Sequence, residues 1–341
     1  MSNVIKGVYA VKLIFLAAIF SNAFLTLGQT PVPQATGIPA VVLQGHRSGV
    51  TAVRFSTDGA WLASSSLDGA VRIWSTRTWI ATRILNHGAE IYAIAFSQDA
   101  HLLVSGGYDR RLMFWETRSG QLRRAVKLPD WVVAITFTPS GQIAVGCSDG
   151  VVRLLDLNTG VIKRTINTEN ELMSLAVSAD GRYLATGPPI KLWDLASGQL
   201  LSKGIRGQGQ GGLAFTPSGE RLASAEGTGG SRIWSVPSGE AREELRIEAQ
   251  KQVLGPSGYV PAAVNMPAAA IAFSRDGTGL ATGGSDFGVQ LWQVARDTVA
   301  KAPMRVLSGH TMTVTGVSFS SDGRYLASAS LDRTVRIWKL R

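Results

Sequence analysis

One short pattern recurs seven times along this chain, and it limits what the chain can fold into. Each copy is an apolar run ending in Phe, or once in Val, followed by Ser or Thr and a tight turn. The copies are Phe55-Ser56-Thr57-Asp58-Gly59, Phe96-Ser97-Gln98-Asp99, Phe137-Thr138-Pro139-Ser140-Gly141, Val177-Ser178-Ala179-Asp180-Gly181, Phe215-Thr216-Pro217-Ser218-Gly219, Phe273-Ser274-Arg275-Asp276-Gly277 and Phe319-Ser320-Ser321-Asp322-Gly323. Asp-Gly and Pro-Ser-Gly suit hairpins, because glycine accepts the positive φ that such turns demand. Each turn leads into a second run with a Leu-Ala-Ser/Thr core, as in Leu62-Ala63-Ser64 and Leu326-Ala327-Ser328. A third run ends in Trp74, Trp115, Trp193, Trp234, Trp292 or Trp338, with Leu155 in the third copy. Nothing helical separates the runs. Short strands bounded by turns, in units of about forty residues, predict an all-β propeller.

Three copies share a finer pattern. The first holds His46, Ser64, Asp68 and Trp74, the second His87, Ser105, Asp109 and Trp115, and the seventh His310, Ser328, Asp332 and Trp338. In all three the His-to-Asp gap is 22 and the Asp-to-Trp gap is 6. A buried indole N–H and a buried imidazole both need partners, and Ser and Asp can supply them. On these residues the chain resembles the WD40 repeat family over residues 41–341. The resemblance implies a seven-bladed β-propeller whose blades are held by hydrogen-bonded His, Ser/Thr, Asp and Trp tetrads. It also implies closure by the N-terminal strand Ala40-Val41-Val42-Leu43, which would complete the last blade and remove a sheet edge.

The middle copies depart from this pattern. The third keeps Asp149 but has Asp130 near the His position and Leu155 for Trp. The fourth has Gly187-Pro188-Pro189 where the Asp should be, and the fifth keeps only Ser224 and Trp234. The sixth has Thr282, Asp286 and Trp292 without a His. Blades three to six are therefore expected to rest mainly on apolar packing.

The expected organisation is a signal peptide at 1–28, a flexible lead-in at 29–39 and the propeller at 40–341. Residues 1–12 contain Lys6 and Lys12 and no acid, Leu13 to Leu27 is almost wholly apolar, and small residues follow. This is the order of a secretory signal, and it predicts an exported, periplasmic or extracellular protein of bacterial type. The alternative is an uncleaved membrane anchor over 8–27.

Little in the sequence carries chemistry. Of the four histidines, three belong to the tetrads and His101 sits in a turn, so no set remains for a metal. Cys147 has no base beside it, and no Gly-x-Ser-x-Gly elbow occurs. No catalytic residue, cofactor or metal is expected. The formal charge of +10 is spread without a basic run longer than two, which argues against nucleic acid. Function is expected on one rim, where in WD40 proteins partners meet the loops entering the innermost strand and the Asp-bearing hairpins. Register places Tyr92, Tyr108, Trp131, Met173, Glu90 and Glu171 there. Large aromatics on a rim suit partner anchors, although they could equally plug the channel mouth. The insertion at 248–266 falls on the same rim. The expected protein is a monomeric, non-catalytic scaffold for a protein or peptide. The alternatives are a recognition module of a larger enzyme, or an enzyme using the channel.

Overall fold

Runs of four to seven residues cannot bury both faces of a strand alone, and here they do so by pairing and stacking. The computed structural model describes residues 40–202, 205, 211–225, 230–236, 247–248, 268–295, 298–300 and 303–341. The signal-like segment, the lead-in and nearly all of the 248–266 insertion lie outside the described residues. Blade one consists of Val50–Phe55, Trp61–Ser66, Ala70–Ser75 and Ala81–Asn86, each strand antiparallel to the next. Blade two is Ile91–Phe96, Leu102–Gly107, Arg111–Glu116 and Leu122–Lys127. Blade three is Val132–Phe137, Gln142–Cys147, Val151–Asp156 and Ile162–Asn167. Blade four is Ser174–Val177, Tyr183–Gly187, Lys191–Asp194 and Leu200–Ser202. Blade five is Gly212–Phe215, Arg221–Ala225, Gly230–Ser235 and Ile247–Glu248. Blade six is Ala268–Phe273, Gly279–Gly284 and Val289–Ala295, whose third strand pairs with Thr298–Val299 and Arg305–Leu307.

Blade seven contains Val314–Phe319, Tyr325–Ser330 and Val335–Lys339, and Ala40–Leu43 supplies its outer strand. Ala40 pairs with Trp338 and Leu43 with Val335. The innermost strands of successive blades pack together, and that of blade seven packs on that of blade one. The chain is thus an all-β seven-bladed propeller closed by its N-terminal strand, as the resemblance implies.

The core is divided in the same way. Among the described residues the buried apolar side chains form seven clusters, each shared by two neighbouring blades. The third-strand Trp always faces the preceding blade: Trp74 lies with Val335 and Ile337, and Trp338 with Val289 and Leu291. The residue before it faces the following blade. That residue is Ile73, Leu154, Leu192, Ile233, Leu291 or Ile337, but in blade two it is Phe114.

Blade three breaks the tetrad in a concerted way. Backbone pairing puts Leu128 where His87 stands one blade earlier: Leu128 N donates to Arg110 O at 2.7 Å, as His87 N does to Gly69 O at 2.9 Å. This corrects the expectation of Asp130 at that place, and Asp130 instead accepts from the Trp131 N–H at 2.9 Å. Strand register gives Val145 for the Ser and Leu155 for the Trp. Donor and acceptors are lost together, so no polar atom is stranded, and such a swap costs little. Phe114 packs in the same cluster as Leu155, opposite the smaller side chain. Asp149, without a His, accepts two bonds from Arg153 at 2.6 and 3.1 Å.

Blades four to six keep part of the tetrad beside their apolar packing. Their indoles still donate to second-strand hydroxyls: Trp193 to Thr186 at 2.9 Å, Trp234 to Ser224 at 3.0 Å and Trp292 to Thr282 at 3.0 Å. Apolar packing is therefore not their only tie. A further tie runs around the outside. Arg83 of blade one donates to Ser119 O of blade two at 3.2 Å. Arg124 likewise reaches the Leu157 and Asn158 carbonyls of blade three, and Arg164 the Leu195 and Ala196 carbonyls of blade four.

Concerted replacement in blade three predicts how it responds to mutation. Leu155→Trp alone should destabilise by about 1–3 kcal/mol, through overpacking against Phe114 and an indole N–H left without an acceptor. Adding Phe114→Ile and Val145→Ser should recover most of the loss. Urea unfolding of the single and triple variants checks this, and a Leu155→Trp protein more stable than the parent would contradict it.

Candidate functional site

The rim is built where two kinds of loop run side by side. In blades one, two, three and seven the loop entering the innermost strand is paired to the hairpin between the second and third strands. Leu67 N donates to Gly49 O, Tyr108 N to Glu90 O, Ser148 N to Trp131 O and Leu331 N to Thr313 O, all at 2.9–3.0 Å. In blade two the approach is close enough that a Cβ on Gly107 would lie 1.9 Å from Glu90 O, so only glycine fits.

The tetrads stand beneath this rim and staple it. Trp74 Nε1 donates to Ser64 Oγ at 2.9 Å. With its oxygen so engaged, the Ser64 hydroxyl donates to one nitrogen of His46 (2.8 Å), and the other ring N–H faces Asp68 (3.1 Å). Asp68 also accepts from the backbone of Arg47 and Ala70, which locks the entering loop to the hairpin. His87, Ser105, Asp109 and Trp115 repeat the chain with bonds of 2.8 to 3.2 Å, and His310, Ser328, Asp332 and Trp338 with bonds of 2.7 to 2.9 Å. Burial pulls His46 and His87 below the usual imidazole range, against the opposing pull of Asp68 and Asp109. Burial opposes ionisation of Asp332, yet bonds from His310 and Thr334 hold its carboxyl well below the usual range.

A recurrent bulge aims a second set of side chains. The ladder between the innermost and second strands skips Thr51, Tyr92, Val133 and Thr315. Bulges re-aim the skipped side chain. Thr51 turns to the next blade and donates to Ile91 O at 2.7 Å, and Thr315 to Val50 O at 2.6 Å. Tyr92 instead donates its hydroxyl to Glu90 Oε2 at 2.8 Å. Its pKa is raised, first by burial and then by the Glu90 hydrogen bond, with a smaller effect of Tyr108.

Tyr108 and Trp131 meet across the blade two to three boundary with ring centroids 4.8 Å apart, tilted by 39°. Tyr108 is 49% exposed and Trp131 is half-buried. Tyr92, Glu90, Tyr108 and Trp131 therefore form one group. Met173 is half-buried and bound through its backbone to Gly187 O at 2.8 Å, and Glu171 is exposed. Both lie further round, with no contact that joins them to the aromatic pair.

One feature of the rim was not singled out from the sequence. The hairpin residue after the Asp is in the left-handed region: Gly69 and Gly150 in blades one and three, but Arg110 (φ 65°), Phe287 (φ 63°) and Arg333 (φ 71°) in blades two, six and seven. A side chain there costs about 1–2 kcal/mol. The signal was legible as Asp-Gly giving way to Asp-Arg and Asp-Phe at one register position.

Among the described residues no group of three or more His, Cys, Asp or Glu side chains could hold a metal ion. Cys147 is buried between blades two and three, and burial pushes its thiol up to about 12.

Residues 37–75, 79–116, 123–156, 266–293 and 301–339 match the model of the WD domain, G-beta repeat. The chain belongs to the WD40 repeat family. It is 35% identical over 269 residues to the small ribosomal subunit protein RACK1 of Drosophila melanogaster, covering 76% of this chain and 82% of that protein. It is also 35% identical over 271 residues to the cross-pathway control WD-repeat protein 2 of Flammulina velutipes, with the same coverage. The chain is a WD40 scaffold. These relatives overturn the expectation of an exported protein and lend no support to a bacterial type. A ribosomal-subunit protein of an insect and a control protein of a fungus point to the interior of the cell.

The tetrads predict an acid-labile propeller. His46 and His87 have lowered folded-state pKa values, so the unfolded chain binds more protons as pH falls below their ordinary value of 6.5, and stability drops. Asp68 and Asp332 are also lowered, so their contribution holds above 3.8 and is lost as pH falls further. Melting temperature should fall in two stages below pH 6.5 and below pH 4, and the first stage should shrink in His46→Asn/His87→Asn. A melting temperature that rises on acidification from pH 7 to 5.5 would contradict the assignment.

Proposed function

We propose that this protein is a non-catalytic scaffold that docks a protein or peptide partner on the rim of blades two and three, through Tyr108 and Trp131. The observation that carries this reading is the exposed, tilted aromatic pair bridging the two blades. Stacked rings present a large apolar area with little rotamer freedom to lose on binding, which suits an anchor. The alternative, aromatics packed only as a plug of the channel mouth, fits poorly with a Tyr108 half open to solvent. Tyr92 and Glu90 brace the pair from below, and Met173 and Glu171 would extend the surface toward blade four. Arg110, held in a costly backbone conformation beside the pair, supports the same rim. The reading assigns no catalysis: three of the four histidines are engaged in the tetrads, and Cys147 stays a thiol. It has the chain act as a monomer and does not involve nucleic acid.

Affinity capture with the wild type, Tyr108→Ala and Trp131→Ala proteins, compared by quantitative mass spectrometry, should show the same partners lost from both variants. With the purified partner, each truncation should weaken binding by about 2 kcal/mol or more while the melting temperature stays near that of the parent. Equal capture and equal affinity in both variants would place the binding surface elsewhere. A large fall in melting temperature would make the pair part of the core.

A further inference from the structure

Arg54 stands at a position where every other blade has a small side chain. It lies on the innermost strand of blade one, one residue before Phe55, and pairs with Ala63. The equivalent residues, by the same pairing, are Ala95, Thr136, Ala176, Ala214, Ala272 and Ser318. Of these, Ala95 and Ala176 are buried in the apolar clusters between neighbouring blades. Arg54 is exposed, so its guanidinium is not packed into that interface, and for a residue on the innermost strand the inner side of the ring is the way out.

Two further facts agree with that direction. Arg54 is exposed by area, whereas its neighbours Ala52 and Val53 are buried. Yet burial alone holds its pKa below the ordinary arginine range. A side chain is both solvent-accessible and surrounded by protein when it lines an internal passage. The guanidinium makes one hydrogen bond, from Nη1 to Val53 O at 2.9 Å, and among the described residues no carboxylate pairs with it. Guanidinium carries five N–H donors and does not deprotonate in proteins, so most of its donors and its whole charge remain uncommitted. Beside it, Ser318 Oγ accepts from Phe55 N at 3.1 Å, which leaves the Ser318 O–H to donate.

We propose that Arg54 makes the central channel an oxyanion-binding site, taking a single carboxylate or phosphate group with the Ser318 hydroxyl as a second donor. The planar fork of arginine matches both groups in a bidentate manner, and charge-assisted bonds of this kind strengthen where water is displaced. The site is separate from the aromatic pair on the rim and stands or falls without it.

The test is thermal melting of the whole protein with inorganic phosphate and with glutarate, at constant ionic strength made up with chloride. The proteins are the wild type, Arg54→Met, Arg54→Lys and, as a charge-matched control, Arg118→Met on an exposed turn. In chloride alone Arg54→Met should melt at or above the wild type, since a desolvated charge is removed. One or both anions should raise the melting temperature of the wild type and of Arg118→Met. That response should weaken at least about tenfold in apparent affinity in Arg54→Met. Arg54→Lys should retain a weaker response. A gain with glutarate but not phosphate would mark the ligand as a carboxylate, and the reverse as a phosphate. Equal responses in the wild type and Arg54→Met, or none to either anion in the wild type, would overturn the proposal.

Discussion

The ring depends on one side chain per blade wedged against the blade before it. Six of the seven wedges are indoles that are at most 6% exposed. Each donates its N–H to a hydroxyl on the second strand of its own blade at 2.8–3.0 Å. The indole brings on the order of 200 Å² of apolar surface into the interface, and the hydroxyl removes the cost of burying its N–H. Because wedge and hydroxyl sit on adjacent strands of one sheet, the bond also holds the orientation in which the indole meets the neighbouring blade. Blade three shows the rule by its exception: Trp, Ser and His are replaced together by Leu155, Val145 and Leu128, and Phe114 across the interface takes up volume.

Such a scaffold leaves the rim free to vary. The tetrad aspartates tie the entering loop to the adjoining hairpin, so side chains on those loops are held on a rigid base rather than on free loops. The same bulge serves different ends around the ring. In blades one and seven its threonine stitches one blade to the next, whereas in blade two it carries Tyr92, braced on Glu90 below the Tyr108 and Trp131 pair. Binding groups on a fixed base lose little freedom on association. Arg54 offers the complementary case, a charged side chain at a register position where the other six blades carry Ala, Thr or Ser.

Much of this was legible in the sequence because the repeat supplies its own register. The seven strand-end turns, the fixed His-to-Asp spacing and the Ala40-Val41-Val42-Leu43 strand led to blade number and closure; offsets from the strand-end Phe placed Tyr92 and Trp131, and the position before the hairpin Asp placed Tyr108, on one rim. What was missed has physical causes. Sequence put Asp130 near the His position of blade three but did not single out Leu128, because the backbone pairing that decides the place is not visible in a single strand. The indole bonds of blades four to six were undervalued because loss of His and Asp looked like loss of the whole tetrad. The Arg83, Arg124 and Arg164 ties were read as scattered surface charge, since their acceptors are carbonyls that any residue could supply. Arg54 escaped notice because attention went to the positions four and six residues before the Phe. The expectation of export rested on the composition of one N-terminal stretch, whereas kinship over 76% of the chain points to the interior of the cell.

The central claim is that indole and hydroxyl act as a unit that sets each blade interface. A double-mutant cycle on Trp338 and Ser328, using Trp338→Phe, Ser328→Ala and the double variant in urea unfolding, tests it most directly. Ser328→Ala strands the indole N–H, whereas the double variant strands nothing in that pair. The account predicts non-additive losses, with a coupling of about 1 kcal/mol or more. Strictly additive losses would contradict it and would leave the tryptophan as a wedge held by packing alone.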